Sequence, residues 1–284
     1  GLIERIGQPI SEVSHTVHPL SAPGEPAVTM LDATYRSEQP IPDHDAAFAV
    51  MLAQFAEHGP SLTEHSPLAV GHRVVHGGAR FFAPTLITDD VERQIDELSV
   101  LAPLHNPANL AGIRAAKAVF ADVPHVAVFD TAFHQTLPPA AYTYAIDADL
   151  AREHRVRRYG FHGTSHKYVS EEAAAFLGRE LSTLRQLVFH LGNGASVTAI
   201  DGGRSVETSM GLTPLEGLVM GTRSGDIDPA ALLHLARRAG LGIDDLDELL
   251  NKRSGLRGLA GRNDMRDILA GVADGDPDAT LAYD

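Results

Sequence analysis

The chain has 284 residues, with 37 acidic against 23 basic side chains and a formal net charge of −14 at pH 7. This excess of negative charge argues against nucleic-acid binding. No apolar run approaches the ~20 residues that span a bilayer, so no membrane segment is expected. Cysteine is absent, which rules out disulfides, thiolate metal sites and a cysteine nucleophile. The absence of cysteine fits a cytoplasmic location. At about 150 residues per domain, the length predicts about two domains.

The first half of the chain alternates predicted strands and helices. The apolar spacing predicts strands at 27–36, 68–76 and 125–133, and helices at 43–59, 89–98 and 107–120. This alternation is typical of an α/β domain, and the apolar run of the third strand indicates burial on both faces.

The second half differs in its pattern. A helix is predicted at 163–178, followed by three strands joined by glycine turns and then by two helices; the strands are 186–192, 195–200 and 204–210, and the helices are 229–239 and 243–252. Three such strands make an antiparallel meander. The change of pattern places a domain boundary near residues 131–139.

Both ends of the chain indicate a piece of a longer polypeptide. The sequence opens with an amphipathic run at residues 2–6, with no preceding turn or cap. It stops soon after Asp276, Pro277 and Asp278 have capped a new helix, and a helix that has barely started is a poor end for a domain.

A Gly-Asn-Gly tripeptide at 192–194 joins two strands of the predicted meander. Two glycines at such a turn let backbone N–H groups approach an anion closely, which would make a phosphate cradle without a Walker lysine. The tripeptide alone favours a simple hairpin turn, because the full P-loop and dinucleotide patterns are absent. Its neighbours decide between the two interpretations.

Two arginines stand in unusual surroundings. Arg73 lies in an apolar strand, where a guanidinium must be paired or face a cavity. Arg223 lies between glycines with Asp226 in reach, so a surface salt bridge is the alternative to a functional role. Since the guanidinium fork suits carboxylates and phosphates, two such arginines on an acidic protein would make a local anion site.

Asp130 and His162 are the other candidates. Asp130 ends a strand, where ligands bind in open α/β sheets, although it could equally cap the following turn. His162 precedes a helix start whose free N–H groups and dipole favour an anion. Its i, i+4 spacing to His166 also fits zinc, but a zincin glutamate and a third ligand are not evident.

Together, four blocks of sequence resemble the acetate kinase (acetokinase) family. This family belongs to the superfamily that also contains sugar kinases, actin and the large heat-shock chaperones. The blocks are 71–78, 126–138 with 104–107 before it, 159–166, and 189–229. The resemblance implies an α/β, two-domain actin-like ATPase (ribonuclease H-like) fold that lacks its first strand and its C-terminal segment. It makes residues 1–132 the acceptor-side domain and residues 133–284 the nucleotide-side domain.

The resemblance also implies roles for individual residues. The catalytic positions are Asp130, His162 and Arg223. The acceptor is bound by Arg73, Val75, Leu104, His105, Phe161 and Pro214. The nucleotide is bound by His190, Leu191, Gly192, Asn193, Gly194, Asp264, Met265 and Arg266. None of these residues is a direct metal ligand, because the metal-linked positions of the family do not occur in the chain.

The activity implied by the resemblance is reversible phosphorylation of acetate by ATP, through direct in-line transfer of the γ-phosphoryl group. The expected products are acetyl phosphate and ADP, with Mg²⁺ as the metal and a homodimer as the assembly. Acetate is ionised at neutral pH, with a pKa of about 4 to 5, and needs no general base. Asp130 is therefore expected to orient an arginine or a metal-bound water rather than to remove a proton.

Two alternatives stay open. A propionate kinase differs by one methylene, worth only ~1 to 3 kcal/mol in a pocket, although Val75 slightly favours the smaller acid. A catalytically incompetent nucleotide-binding fragment is the other, because the family's opening Asn-x-Gly-Ser-Ser-Ser-x-Lys turn, adenine loop and metal-linked glutamate are absent. An actin-like structural protein is not favoured, because filament formation gives no reason for Arg73, His162 and Arg223 around one cleft.

Overall fold

The computed structural model describes residues 1–7, 9–17, 33–59, 62, 65–103 and 105–284. Its strands are β1 (Leu2–Glu4), β2 (Ser11–Val17), β3 (Ala33–Gln39), β4 (Val70–Val74), β5 (Thr85–Leu86), β6 (His125–Phe129), β7 (Arg185–Leu191), β8 (Ala195–Asp201) and β9 (Arg204–Thr208). Its helices are α1 (His44–His58), α2 (Asp89–Glu97), α3 (Asn106–Val119), α4 (Pro139–Tyr142), α5 (Ala148–Glu153), α6 (Gly163–Phe176), α7 (Pro229–Ala239), α8 (Ile243–Lys252), α9 (Gly255–Ala260), α10 (Met265–Ala273) and α11 (Pro277–Tyr283). The strands form three sheets, in the orders β1-β2-β3, β4-β6-β5 and β7-β8-β9.

Most predicted elements are confirmed, and the errors have local causes. The strand predicted over 125–133 ends at Phe129, and residues 132–136 form a 3₁₀ helix instead. The chain turns there because the Thr131 hydroxyl accepts a hydrogen bond from the Gly77 N–H. The first six residues of the strand predicted over 27–36 lie outside the described residues.

Strand β2 is absent from the sequence-based prediction. Its buried face carries Ser11, Val13 and His15, so two of the three inward side chains are polar. A search for alternating apolar residues therefore finds no signal there. The chain's opening amphipathic run forms β1, which pairs antiparallel with β2.

The chain divides into two compact units. The first contains Gly1–His72, Leu86–Asp96 and Pro107–Ala127, and the second contains Arg73–Thr85, Glu97–Asn106 and Val128–Asp284. The predicted domains, residues 1–132 and 133–284, stay a prediction. No helix in the described part of the chain is long and apolar enough to cross a membrane.

Unit 1 is built around the β1-β2-β3 sheet and α1. The Asp43 carboxylate caps α1 by accepting the Ala46 N–H at 2.8 Å, and the helix ends before Gly59. Val13, Ile41 and Ala47 form the buried cluster between sheet and helix. Burial of such side chains stabilises the unit by roughly 1.5 to 3 kcal/mol for each of the larger ones.

Unit 2 contains the meander that the glycine turns predict. Strands β7 and β8 pair antiparallel from Arg185 opposite Asp201 to Leu191 opposite Ala195. The turn into β9 uses Gly202 and Gly203, both with positive φ (57° and 79°), as a two-residue hairpin requires. Helix α6 packs against β7. The meander and the start of α6 carry most of the candidate site residues.

Candidate functional site

Arg73 and Asp130 form a fork in unit 2. The Arg73 Nε donates to both Asp130 oxygens, at 3.0 and 3.1 Å, and its Nη2 donates to Oδ2 at 2.6 Å. The Asp130 side chain is 2% exposed and the Arg73 side chain 62%. The arginine is therefore paired, as its apolar strand predicts. The third guanidinium nitrogen, Nη1, has no hydrogen-bond partner among the described residues.

Asp130 is placed by two close backbone contacts. Its N–H donates to the Val74 carbonyl at 3.0 Å, and its own carbonyl accepts the Gly163 N–H at 2.9 Å. A Cβ atom at Gly163 would lie 2.2 Å from that carbonyl oxygen, so only glycine fits there. The lack of a side chain at Gly163 thus lets α6 begin directly against the end of β6.

His162 immediately precedes α6, with a left-handed backbone (φ 57°). Such a conformation is uncommon outside glycine, and a folded structure maintains it only where surrounding contacts hold it in place. The His162 Nδ1 lies 2.9 Å from the Ser196 hydroxyl oxygen, and the same oxygen lies 2.8 Å from the His166 Nε2. The backbone and side chain of His162 are therefore both fixed.

The His162 ring stacks on His190, with ring centroids 4.0 Å apart. His190 is held in turn by the Ser165 hydroxyl, 2.9 Å from its Nδ1. His190 comes from β7 and the other two residues from the start of α6. The stack therefore joins the helix start to the strand that precedes the Gly-Asn-Gly turn.

The Gly-Asn-Gly turn lies beside Arg223 and His162. A Cβ atom at Gly194 would lie 3.3 Å from the Arg223 Nη1 and 3.6 Å from the His162 Nε2. A side chain at Gly194 would therefore fill the space between these two groups. The turn is closed by the Gly192 N–H, which donates to the Gly194 carbonyl at 3.0 Å, and the Gly221 N–H donates to the Asn193 carbonyl at 3.1 Å.

Arg223 has no carboxylate partner in the described part of the chain. Its Nη1 donates to the Pro214 carbonyl at 3.0 Å, and its side chain is half-buried. The alternative of a salt bridge with Asp226 is not found among the described residues, where the Asp226 carboxylate accepts the Gly217 N–H at 2.8 Å. Arg223 thus keeps donors on Nε and Nη2 that have no partner among the described residues.

Part of the expected apolar wall is assembled. Phe161 is buried in one cluster with Ala195, Met210 and Met220, and Val75 packs against that cluster. Leu104 lies outside the described residues. The Pro214 carbonyl accepts a hydrogen bond from Arg223. That the Pro214 ring forms part of the apolar wall stays a prediction.

Burial and positive charge keep the site histidines neutral. The pKa of His162 falls from 6.5 to about 3, because of burial first and then the charges of His190, Arg73, His166 and Arg223. Burial also lowers the pKa of His105, and Arg223 and Arg73 lower it further. Both arginines therefore act electrostatically on the same two histidines.

Residues 264–266, which are expected to bind the nucleotide, follow a residue that contacts the Gly-Asn-Gly turn. The Asn263 side-chain amide donates to the Asn193 side-chain oxygen at 3.1 Å. Asp264 caps α10 and pairs with the guanidinium of Arg266 at 2.5 Å, and Met265 is exposed. The predicted nucleotide contacts of these three residues stay predictions.

Sequence reasoning missed three buried polar residues of this region. Ser196 joins two histidines, Thr131 holds the Gly77 N–H, and Asn106 exchanges two hydrogen bonds with the backbone of His76, at 3.1 and 3.0 Å. The signal for Ser196 was available, since it lies two residues after the Gly-Asn-Gly turn. Thr131 and Asn106 act on backbone far away in sequence, so spacing gives no clue to them.

The arrangement can bind an anion with several centres of charge. Arg223, the His162 Nε2 edge and the glycine turn adjoin one small volume, and Arg73 and His105 are close enough to influence it electrostatically. In such a site the positive groups offset mutual repulsion between anions and the backbone N–H groups approach without steric hindrance.

Comparisons with known proteins agree on one family. Residues 14–284 match the model of the Acetokinase family. The chain is 66% identical to an acetate kinase of Leifsonia xyli subsp. xyli over 284 residues, which are 100% of the chain and 68% of that protein. It is 63% identical to an acetate kinase of Clavibacter michiganensis subsp. michiganensis over 282 residues, with coverage of 99% and 68%.

Solved structures give the same result. The structure of Porphyromonas gingivalis acetate kinase matches with a TM-score of 0.85 at 41% identity, covering 99% of this chain and 68% of that chain. A propionate kinase from Francisella tularensis subsp. tularensis matches with a TM-score of 0.85 at 42% identity and the same coverage. The predicted α/β fold of the actin-like ATPase type is thereby confirmed.

Proposed function

Because the chain belongs to the acetokinase family, we propose that it catalyses the reversible, ATP-dependent phosphorylation of acetate to acetyl phosphate. One observation carries the proposal: Arg223 and the His162 Nε2 lie over Gly194, in the turn predicted to cradle phosphate. A phosphoryl group in that space would meet donors on both sides. Phosphoryl transfer needs such positioning and neutralisation of charge more than covalent chemistry.

The two arginines would divide the work. Arg73 offers its free Nη1 while Asp130 fixes the plane of its guanidinium, which suits a carboxylate held in one orientation. Arg223 offers donors without a partner among the described residues beside the glycine turn, which suits the phosphoryl group during its transfer. Together they would let the acetate carboxylate approach the γ-phosphoryl group despite their mutual repulsion.

Asp130 would act through Arg73. Both of its oxygens accept from the Arg73 guanidinium, and the side chain is almost fully buried. Acetate carries no proton at neutral pH, since its pKa is about 4 to 5. A carboxylate whose two oxygens both accept from one arginine is suited to orienting that arginine, and the proposed reaction leaves no proton for it to remove.

The family generally uses Mg²⁺, but the residues of this site do not form a metal centre by themselves. The described part of the chain contains no group of three or more His, Asp or Glu side chains that could hold a metal ion. Both Asp130 oxygens already accept hydrogen bonds from Arg73. No step of the proposed reaction is therefore assigned to a metal held by these residues.

ATP would be held along the Gly-Asn-Gly turn. Gly192 and Gly194 bring backbone to the phosphates, and His190 stacks behind them on His162. The hydrogen bond that the Asn263 side-chain amide donates to the Asn193 side-chain oxygen supports continuation of the nucleotide toward Asp264, Met265 and Arg266.

Propionate is the second candidate acceptor. A propionate kinase matches the chain with the same TM-score as an acetate kinase. Val75 and Phe161 belong to a packed apolar cluster that leaves methyl-sized differences to decide the preference. One methylene is worth about 1 to 3 kcal/mol in such a pocket. The kcat/KM values for acetate and propionate should therefore differ by only a modest ratio.

The test is direct. The purified chain is incubated with ATP, Mg²⁺ and acetate, and acyl phosphate is trapped with hydroxylamine, with propionate and butyrate in parallel. Acyl hydroxamate from acetate in excess of propionate supports the proposal, and the reverse order selects a propionate kinase. Nucleotide binding without acyl phosphate from any acid would instead support a non-catalytic nucleotide-binding protein.

A cytoplasmic location and a homodimeric assembly belong to the same proposal. Both are supported by the family resemblance alone. Sedimentation of the purified chain checks the assembly, and a mass of one chain at micromolar concentration would contradict it.

A further inference from the structure

One serine hydroxyl lies between two histidine rings in unit 2. The Ser196 Oγ is 2.9 Å from the His162 Nδ1 and 2.8 Å from the His166 Nε2, and the residue is fully buried. No other hydrogen bond to this hydroxyl is found among the described residues. Its single proton therefore goes to one of the two rings.

A count of protons leaves two arrangements. In the first, the hydroxyl donates to the His162 Nδ1 and accepts from a protonated His166 Nε2. In the second, it donates to the His166 Nε2 and accepts from a protonated His162 Nδ1. The second arrangement places the proton of a neutral His166 on Nδ1, since a neutral imidazole carries one N–H.

The surroundings of His166 decide between them. Its Nδ1 is buried and has no hydrogen-bond partner in the described structure. Leaving a buried N–H without an acceptor costs the full desolvation of that donor, and such orphaned N–H groups are rare in native proteins. An unprotonated Nδ1 has no such donor to satisfy. The first arrangement is therefore favoured.

We propose that Ser196 is a positioning residue that holds His162 in the tautomer with its proton on Nε2. That Nε2 lies 3.6 Å from where a Cβ of Gly194 would be, beside the Arg223 guanidinium. The serine thus makes His162 a hydrogen-bond donor, rather than an acceptor, toward the place proposed for the phosphoryl group. The use of this donor rests on the proposed function, whereas the tautomer does not.

The groups that face His162 agree with a neutral donor. They are His190 from β7, Arg73 from β4, His166 from α6 and Arg223 from the loop after Met220, and all of them disfavour a second proton on the ring. An Nε2 lone pair beside Arg223 would attract a guanidinium N–H. The Arg223 Nη1 donates to the Pro214 carbonyl instead.

His134 provides an internal reference for the test. Its Nε2 lies 2.9 Å from the Phe161 carbonyl oxygen, which can only accept, so the proton must be on Nε2. Its Nδ1 then accepts from the Ser205 hydroxyl at 2.9 Å. His134 is fully buried, so its signals also report on whether a variant is folded.

Long-range ¹H–¹⁵N correlation spectra of the full chain, labelled with ¹⁵N-histidine, distinguish the two tautomers. We expect His162 and His134 to carry the proton on Nε2 in the unsubstituted chain. In Ser196→Ala, His162 should show a mixed or Nδ1-protonated ring while His134 is unchanged. An Nδ1 proton on His162 before substitution, or an unchanged tautomer in Ser196→Ala, would overturn the proposal.

Ser165→Ala is the matched control, because it removes a hydroxyl of the same cluster that contacts His190 instead of His162. The tautomer of His162 should persist in it. Ser196→Thr retains the hydroxyl and should restore the Nε2 proton. If Ser165→Ala changed the tautomer as much as Ser196→Ala, the effect would belong to the cluster in general and the assignment to Ser196 would fail.

The kinetic counterpart is separate. A hydrogen bond to a charged group is worth ~1.5 to 3 kcal/mol, so Ser196→Ala should lower kcat roughly ten- to a hundredfold with little change in the KM for acetate. Ser196→Thr should recover most of kcat. An inactive unsubstituted chain would refute the proposed function while leaving the spectroscopic result intact. An altered tautomer with full kcat would refute the use of the donor.

Discussion

Arg73 and Arg223 approach the same histidines but are held by different means. Asp130 accepts three hydrogen bonds from the Arg73 guanidinium and raises the pKa of that arginine. Arg223 donates to a backbone carbonyl and a methionine sulfur, and burial lowers its pKa. One positive charge is therefore neutralised by a buried carboxylate, and the other has no carboxylate partner among the described residues.

This difference gives the two arginines different uses: Arg73 can orient a ligand, and Arg223 can stabilise negative charge. A neutralised guanidinium still presents N–H groups in a fixed plane, which serves recognition of a planar carboxylate. An uncompensated guanidinium in a half-buried place contributes its full positive potential to whatever anion enters. Arg73 is thus suited to the acetate that is bound before transfer, and Arg223 to the charge that develops during transfer.

Replacement of Arg223 should have the largest effect. Arginines that stabilise a moving phosphoryl group contribute about 10³- to 10⁵-fold to kcat, so Arg223→Ala should lower kcat by roughly a thousandfold or more. Arg223→Lys should recover a small part, because an ammonium keeps the charge and loses the fork. The rate of acyl hydroxamate formation measures both variants.

Arg237→Ala is the control for loss of an arginine. Arg237 is exposed on α7, and no ion pair of its side chain is found in the described structure. Its activity should equal that of the unsubstituted chain. A loss of less than tenfold in Arg223→Ala would show that the uncompensated charge is not directed at the transition state.

Removal of Asp130 should cost less, and only through Arg73. We expect Asp130→Asn and Arg73→Ala each to lower kcat/KM for acetate roughly a hundredfold, and Asp130→Asn to add little in an Arg73→Ala background. A double-mutant cycle of steady-state kinetics measures the coupling. Effects that multiply, or an Asp130→Asn variant with full activity and unchanged Mg²⁺ dependence, would show that Asp130 does not work by orienting this arginine.

The stability of the same pair should be asymmetric. Arg73→Ala leaves the Asp130 carboxylate buried at 2% exposure without its partner, which costs about 3 to 5 kcal/mol of the free energy of unfolding. Asp130→Ala leaves a guanidinium that is already 62% exposed, and water can solvate it. Urea unfolding of the two single variants and the double variant measures this. Equal losses in both single variants would contradict the asymmetry.

Regular elements were predictable because their signals are local. Asp43 and Gly59 delimit α1, and the glycine pair at 202–203 fixes the hairpin between β8 and β9. Prediction failed where tertiary contacts decide. Polar residues occupy the buried face of β2, and a hydroxyl from Thr131 ends β6 by holding backbone 54 positions away in sequence.

The site shows the same limit. The residue types at Arg73, His162 and Arg223 predict anion binding, but sequence spacing cannot say which carboxylate pairs with which arginine. The structure pairs Arg73 with Asp130, and leaves Asp226 with the Gly217 backbone rather than with Arg223. Pairing across long sequence separations depends on the fold, so local charge spacing could not decide between Asp226 and a bound anion as the partner of Arg223.

The smallest expected effect is on the protonation of His162. Its pKa in the folded chain is about 3, against 6.5 for an ordinary histidine. Between these values the unfolded chain binds a proton that the folded chain does not. The free energy of unfolding therefore decreases as the pH falls through that window. Arg73→Ala removes one positive neighbour and frees the Asp130 carboxylate, and both changes raise the pKa of His162.

Arg223→Ala should raise the pKa of His162 less, because it removes a charge without exposing a carboxylate. The ring signals of His162 in ¹⁵N-labelled protein, followed from pH 7 down to pH 3, measure the order of the variants. Protonation should begin at the highest pH in Arg73→Ala and at the lowest in the unsubstituted chain. The reverse order of the two arginine variants would mean that the field of Arg223 at His162 outweighs the combined effect of Arg73 and the carboxylate that its removal frees.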